Sequence, residues 1–166
     1  MRFAKLRSEL LANRELRQQE LERALDSGRT VVSLALNIPG VDKSLSGSAA
    51  LAAWAEERLN ESLPGLLKLH GKLDSLGPFA LYTTASAPRE AKLRCAAIEV
   101  EQPAARLLDL DVFAPSGTAV NRSELGLPRR ACLLCSEGAV DCIRSGAHDQ
   151  KLVVRRAHEL IAVFAG

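Results

Sequence analysis

Polar and apolar positions follow two different periods along this chain. Residues 6–26 are rich in Leu, Glu, Arg, Gln and Ala, which are good helix formers. At about 100° per residue, Leu6, Leu10, Leu21, Ala24 and Leu25 share one face, which predicts a helix ended by Asp26-Ser27-Gly28. Thr30 to Ile38 reads as a buried strand, broken by Pro39-Gly40. Residues 48–59 predict a second helix, and residues 64–73 continue helical or as a short separate helix. Gly77-Pro78 marks a turn before a strand over 79–84, and residues 93–100 predict another strand. A third run, 107–114, meets the tight turn Pro115-Ser116-Gly117-Thr118, with Ala119-Val120 starting a hairpin partner. Residues 121–148 look irregular, and 153–164 form a closing helix.

Clustered strands with helices elsewhere predict an α+β fold. The expected sheet is small, mixed or antiparallel, with four to five strands and flanking helices. One detail breaks the simple amphipathic picture. Arg14, Arg17 and Gln18 fall in the middle of the first helix's apolar face. A helix that only buries a stripe does not place two arginines there. Either that part of the helix overhangs the core and the arginines are solvated, or they serve a ligand.

The most informative run is Arg106-Leu107-Leu108-Asp109-Leu110-Asp111-Val112. On a strand, side chains repeat with period two, so Asp109 and Asp111 point one way and Leu108, Leu110 and Val112 the other. Adjacent carboxylates at the edge of a buried strand repel and are costly to desolvate. A hard cation such as Mg²⁺, bound with a substrate's phosphates, resolves that cost and suggests metal-assisted chemistry on a phosphorylated substrate. The bland alternative is a polar strand face that meets water.

The 166 residues fit one domain over 1–166, with 47% hydrophobic and 25% charged residues, ordinary for a soluble protein. A net charge of +2 argues against bulk nucleic-acid or membrane binding. No apolar run approaches a membrane span and the N-terminus lacks a signal-peptide core, so a cytoplasmic location is expected. In that compartment the cysteines are thiols or metal ligands, not disulfides. Cys132, Cys135, Cys142 and His148 are spaced C-x2-C-x6-C-x5-H, a set that could hold a structural Zn²⁺. The atypical gaps and the intervening Leu133-Leu134 favour packed thiols over a tightly bound metal. Cys95 reads as core. Lys92, Arg106, Arg122, Arg129 and Arg130 place cations on both sides of the aspartate strand, as a polyphosphate with a metal requires.

Taken together, these motifs resemble the apo-citrate lyase phosphoribosyl-dephospho-CoA transferase family, also called citrate lyase holo-acyl-carrier-protein synthase. The resemblance runs through Glu9-Leu10-Leu11, Arg14-Glu15, Arg17, Leu36-Asn37-Ile38-Pro39-Gly40, Lys43, Lys92, Ile98-Glu99 and Arg106 to Val112. Its most specific stretch is Leu125-Gly126-Leu127-Pro128-Arg129-Arg130 followed by Cys132-Leu133-Leu134-Cys135, then Cys142, Arg144 and His148. The chain departs from the family at 83–90, where a Thr-Gly-Pro-Glu-like turn is shortened, and at 102–105, which lacks the usual His and Gly.

The resemblance implies a nucleotidyltransferase-like enzyme. Its donor would be 2′-(5″-triphosphoribosyl)-3′-dephospho-CoA, its acceptor a serine of the acyl carrier (gamma) subunit of citrate lyase, and its leaving group pyrophosphate. Asp109 and Asp111 would be the Mg²⁺ ligands, with Glu99, expected on the preceding strand, as a third carboxylate or base. Arg14, Arg17, Lys43, Lys92, Arg106 and Arg122 would bind phosphate. The alternative from another class is a non-enzymatic, metal-stabilised protein-binding module acting in citrate lyase assembly, with the cysteine segment as its docking surface.

Overall fold

The structure, a computed structural model, describes residues 2–43 and 45–165, and of residues 2–6 the backbone only. Leu6, expected on the first helix's apolar face, therefore lies outside the described side chains. The elements are α1 (Arg2–Leu25), β1 (Thr30–Leu36), α2 (Ser48–Ser62), β2 (Leu67–Asp74), β3 (Gly77–Thr84), α3 (Pro88–Ile98), β4 (Leu108–Phe113), α4 (Ala139–Ser145) and α5 (Gln150–Ala162). The four strands form one antiparallel sheet in the order β2-β3-β1-β4, an α+β arrangement as expected.

Strand alternation divides the core in two. Val32, Leu34, Leu108, Leu110, Val112 and Tyr82 face one side, where residues of α2, α3 and α5 cover them. Val31, Phe79 and Leu81 face the other side, under Leu21, Ala24 and Leu25 of α1. Only the C-terminal third of α1 packs this way. Leu11 and Leu16 stay about half exposed, so the helix overhangs the sheet toward its N-terminus.

Two elements differ from the sequence expectation. Residues 64–73 do not continue a helix: 67–74 is β2. Its leucines are spaced as on a helix, but β3 pairing supplies the backbone partners, and Asp74-Ser75-Leu76-Gly77 makes the connecting turn. Asp74 Oδ1 accepts the Leu76 N–H at 2.8 Å. Gly77 has φ +93, and a Cβ there would meet the Lys43 carbonyl at 2.8 Å, so glycine is required. Accordingly Gly77-Pro78 opens β3 and is not a separate turn. Residues 93–100 are not a strand but the body of α3. Pro88 in its first turn and Glu90 beside it are start signals. Ala91, Cys95 and Ile98 follow the helical period into the core.

The tight turn at 115–118 is present, but its hairpin partner shrinks to one bridge, Phe113 to Ala119. The irregular segment 121–148 contains α4 and a short 3₁₀ turn at Ser123–Leu125. Residues 85–87, between β3 and α3, follow Thr84, which pairs with Thr30 at the start of β1, while Phe79 pairs with Ala35 at its far end.

Arg17 resolves the arginine puzzle of α1. Its Nε and Nη2 donate to the Asp74 carboxylate at 3.0 and 2.7 Å, and Nη2 also reaches the Gly77 carbonyl at 2.7 Å. Its guanidinium lies 4.7 Å from the Phe79 ring centre. The overhanging half of α1 is thus clamped to the β2–β3 turn. Burial alone would raise the Asp74 carboxyl, but the Arg17 hydrogen bonds, the Leu76 N–H and the charges of Arg17 and Lys72 outweigh it and hold Asp74 below the ordinary aspartate range. A depressed folded-state value stabilises the protein above the ordinary value of about 3.9, and that stability fades as pH falls through the folded value. Arg17→Ala removes one partner of a pair whose Asp74 side chain is 3% exposed, and such a loss costs about 3–5 kcal/mol. We expect this loss at pH 7 by chemical denaturation, and a shrinking one as pH falls below the ordinary aspartate value and through the lowered folded-state value of Asp74.

Candidate functional site

The strand β4 is the edge of the sheet, so its outward backbone groups need partners other than a strand. Charged side chains provide them. Glu99, at the end of α3 and not on a strand, accepts the Leu110 N–H through Oε1 at 2.9 Å. Lys92 Nζ donates to the Leu110 carbonyl at 2.8 Å. Arg130 Nη1 donates to the Leu108 carbonyl at 2.7 Å. Lys92 is 4% and Glu99 3% exposed, so these are interior clamps.

The clamps extend to the aspartates. Arg130 Nη2 bridges Glu99 Oε1 at 2.5 Å and Asp109 Oδ1 at 2.9 Å. Arg122 closes the other Glu99 oxygen at 2.5 Å, and Lys92 lies 3.5 Å from Asp111 Oδ1. Asp109 and Asp111 stand on the same face of β4, opposite Ala35 and Ser33 of β1. Their side chains are 41% and 55% exposed. Burial, and then the charge of Asp111, raise the Asp109 carboxyl above the ordinary range, although Arg130 pulls the other way.

A cavity of about 360 Å³ opens between α1 and this sheet face, lined by Arg14, Arg17, Asn37, Lys43, Phe79 and Asp109, among others. Arg14 makes no ion pair among the described residues. Lys43 donates to the Ile38 carbonyl. Burial, and then the charge of Arg14, lower its ammonium below the ordinary lysine value. Two like charges meet here beside a carboxylate whose own charge is disfavoured. An anion with several oxygens, accompanied by a cation, would relieve both strains.

The structure thus gathers Arg14, Arg17, Lys43 and Asp109 around one cavity, with Asp111 next along the strand. Lys92, Glu99 and Arg122 sit behind β4, with Glu99 and Lys92 spent on its backbone. Arg106 lies apart from the cavity, donating to the Ala131 and Cys132 carbonyls at 3.3 and 2.5 Å. Arg130, which joins Asp109 to Glu99, went unrecognised as a site residue in the sequence. The pair Arg129-Arg130 was visible as charge, but nothing local distinguishes Arg130 from its exposed neighbour.

The cysteine segment also converges. The ligand atoms of Cys132, Cys135, Cys142 and His148 all lie within 4.8 Å of one another. Cys135 Sγ is 3.5 Å from Cys142 Sγ and 3.2 Å from His148 Nε2, close to the ligand separations on a tetrahedral ion with bonds of about 2.0–2.3 Å. This Cys3His set could therefore hold a metal, whereas the spacing alone argued for packed thiols. The four residues converge because the turn leading into α4 folds Cys142 back toward Cys132, closed by the Cys132 N–H to Glu137 carbonyl bond at 2.7 Å. Burial and the neighbouring thiols push the Cys142 thiol up to about 12. Burial would also raise Cys132, but the Leu134 and Cys135 N–H groups and the adjacent thiols hold it below the ordinary value.

The family model described as apo-citrate lyase phosphoribosyl-dephospho-CoA transferase matches residues 6–164, and the chain belongs to that family. A relative from Vibrio cholerae serotype O1 (strain ATCC 39315 / El Tor Inaba N16961), named probable apo-citrate lyase phosphoribosyl-dephospho-CoA transferase, is 30% identical over 159 residues, covering 92% of this chain and 89% of the relative. An apo-citrate lyase phosphoribosyl-dephospho-CoA transferase from Escherichia coli O139:H28 is 34% identical over 85 residues, 51% of this chain and 46% of the relative.

The raised Asp109 value fixes the sign of a stability test. A raised folded-state value contributes stability below the ordinary value of about 3.9 and loses it as pH rises through the folded value. Ionised Asp109 therefore weighs against folding at pH 7, and Asp109→Asn is expected to melt at the same temperature or higher. The gain should vanish below about pH 4, where the wild-type carboxyl is neutral in both states. Glu99→Ala has the opposite sign: two arginines lose their buried counter-charge, for a loss of about 3–5 kcal/mol. Thermal melts of both variants across pH check the pair.

Proposed function

We propose that this member of the apo-citrate lyase phosphoribosyl-dephospho-CoA transferase family attaches the prosthetic group of citrate lyase. A serine Oγ of the acyl carrier (gamma) subunit attacks the α-phosphorus of 2′-(5″-triphosphoribosyl)-3′-dephospho-CoA. The new bond is a phosphodiester, the α–β phosphoanhydride bond breaks, and pyrophosphate leaves. The hydroxyl proton passes to water or to an aspartate of the site. The observation that carries this reading is the convergence of Arg14 and Lys43 with Asp109 in one cavity, within a chain of this family.

In this reading Arg14 and Lys43 take the β- and γ-phosphates and stabilise the charge that grows on pyrophosphate. Arg17, its fork already held by Asp74, fixes the cavity wall. Asp109 and Asp111 present carboxylates where the α-phosphate must lie. Both face outward on one side of the strand, and their mutual repulsion fits a divalent ion: they would hold Mg²⁺, which would neutralise non-bridging phosphate oxygens. Glu99, with both oxygens engaged, acts as a positioning residue for Arg130 and β4 and not as the base. Lys92 and Arg122 support the same arrangement from behind.

The Cys3His set suits a structural Zn²⁺, because thiolate and imidazole ligands select that ion and four protein ligands close the site. Residues 1–166 then act as one nucleotidyltransferase-like domain. The four free thiols suit the reducing cytoplasm. No helix among the described residues is long and apolar enough to cross a membrane.

Mass spectrometry of an apo carrier subunit, incubated with this protein, the triphosphoribosyl donor and Mg²⁺, tests the function. The expected outcome is a mass gain equal to the phosphoribosyl-dephospho-CoA group and an equal yield of pyrophosphate, both lost in Asp109→Asn. Carrier binding without any mass gain would point to a docking module instead. Elemental analysis of protein purified without added metal should find near one zinc per chain, lost with thermal stability in Cys135→Ser; metal-free protein of full stability would reject the zinc site.

A further inference from the structure

A second cavity lies beyond the end of β1 and the start of β4. It measures about 580 Å³, within the range of about 300–1,000 Å³ typical of small-molecule sites. Its walls come from the Pro39-Gly40 break, the 130–133 segment, α4 and the start of α5. Three of its residues, Cys132, Cys142 and His148, belong to the Cys3His set, but the volume far exceeds what one ion occupies.

Its position relative to the first cavity matters most. Asn37 lines both cavities. Arg130 lines the second and is hydrogen-bonded to Asp109, which lines the first. The Asn37 loop and the Arg130–Asp109 pair therefore form the ridge between them. The two sides differ in chemistry. The first side gathers Arg14, Arg17 and Lys43. The second is mainly apolar, with Leu107, Leu133, Ala139 and Val153 in its walls. Its two arginines are already occupied, Arg106 by backbone carbonyls and Arg130 by Glu99 and Asp109. That leaves the side-chain amides of Asn37 and Gln150, which make no hydrogen bonds among the described residues, as its adaptable polar groups. An apolar cavity with a few amides suits a flat heterocycle better than a phosphate.

We infer that the second cavity holds the adenosine end of the donor's dephospho-CoA, so that the donor straddles the Arg130–Asp109 ridge. This rests on the function proposed above, and donor chemistry selects the occupant. From the α-phosphorus, the pyrophosphate extends one way and a single ribose the other, and that ribose is joined to the adenosine 2′ oxygen. Adenosine is thus the nearest large group to the reacting atom on the side away from Arg14 and Lys43. The pantetheine arm lies beyond a further diphosphate and extends past the cavity mouth. Planar adenine would lie against Leu133 and Val153, with the amides of Asn37 and Gln150 free to meet its edge.

Dephospho-CoA itself is the probe, since it carries the adenosine and lacks the triphosphate. Titrated into the wild-type protein and followed by amide NMR, it should shift Leu133, Ala139 and Val153. AMP should compete with it, and pantetheine should not. Val153→Trp and Ala139→Phe, each checked by thermal melting, should weaken dephospho-CoA binding and raise the donor KM by about tenfold or more, a change of about 1.4 kcal/mol. Arg14→Ala should weaken binding of inorganic pyrophosphate and leave dephospho-CoA binding intact. Shifts confined to α1 and β1, competition by pantetheine instead of AMP, or an unchanged donor KM in both folded wall variants would overturn the assignment. A wild-type protein that binds dephospho-CoA at this wall yet never modifies the carrier would keep the cavity assignment and reject the transfer reaction.

Discussion

Everything near the candidate site depends on how the open edge of β4 is closed. A fifth strand would satisfy its backbone. Here side chains do so: Glu99 for the Leu110 N–H, Lys92 for the Leu110 carbonyl and Arg130 for the Leu108 carbonyl. Val120 N–H adds a bond to the Val112 carbonyl at 2.8 Å. Burying a carboxylate and an ammonium is costly unless each is fully hydrogen-bonded. Glu99 meets that condition with a backbone N–H and two guanidinium groups. The consequence is directional. The carboxylates of Asp109 and Asp111, projecting from the sheet face, are about half exposed, while the backbone beneath them is clamped from the edge.

The same region stores electrostatic strain of two signs. Lys43 is lowered by burial and by Arg14, and Asp109 is raised by burial and by Asp111. Each group resists the charge it carries at neutral pH. Purely structural ion pairs act the other way, as Arg17 does in holding Asp74 down. Groups perturbed toward their neutral forms beside one cavity mark a place arranged for a charged ligand. A polyphosphate opposite the cations, with a divalent ion opposite the aspartates, removes both penalties at once.

Much of this was legible in the chain. Strands β1, β3 and β4 are apolar runs bounded by Gly and Pro, and the Asp-Leu-Asp alternation places both carboxylates on one face without tertiary information. The two arginines on the apolar face of α1 also announced themselves, because amphipathicity has no use for them there. What was hidden is long-range. Leucine spacing in 64–73 suits a helix until β3 pairs with it, and the apolar run 93–100 suits a strand unless Pro88, five residues before it, starts a helix. Arg17 finds Asp74, 57 residues away, only once the β2–β3 turn is built. Likewise Glu99 is a plain carboxylate in sequence and becomes the hub of two arginines and strand β4 only in three dimensions.

The cysteine segment is joined to the candidate site through its first residues. Residues 130–132 do three things within three positions. Arg130 grips Asp109 and Glu99, the Ala131 and Cys132 carbonyls receive Arg106, and Cys132 supplies a sulfur to the Cys3His set. A tie at Cys132 therefore limits how far the Arg130 backbone can move. Arg130 in turn sets the position of an Asp109 oxygen through a bond of 2.9 Å. Loosening the cluster frees the segment before it frees the strand, because β4 keeps its Glu99 and Lys92 clamps. The first function lost is then the ridge between the two cavities, not the sheet. A metal closing this set would act on the reaction mechanically, by holding Arg130, without touching a reacting atom.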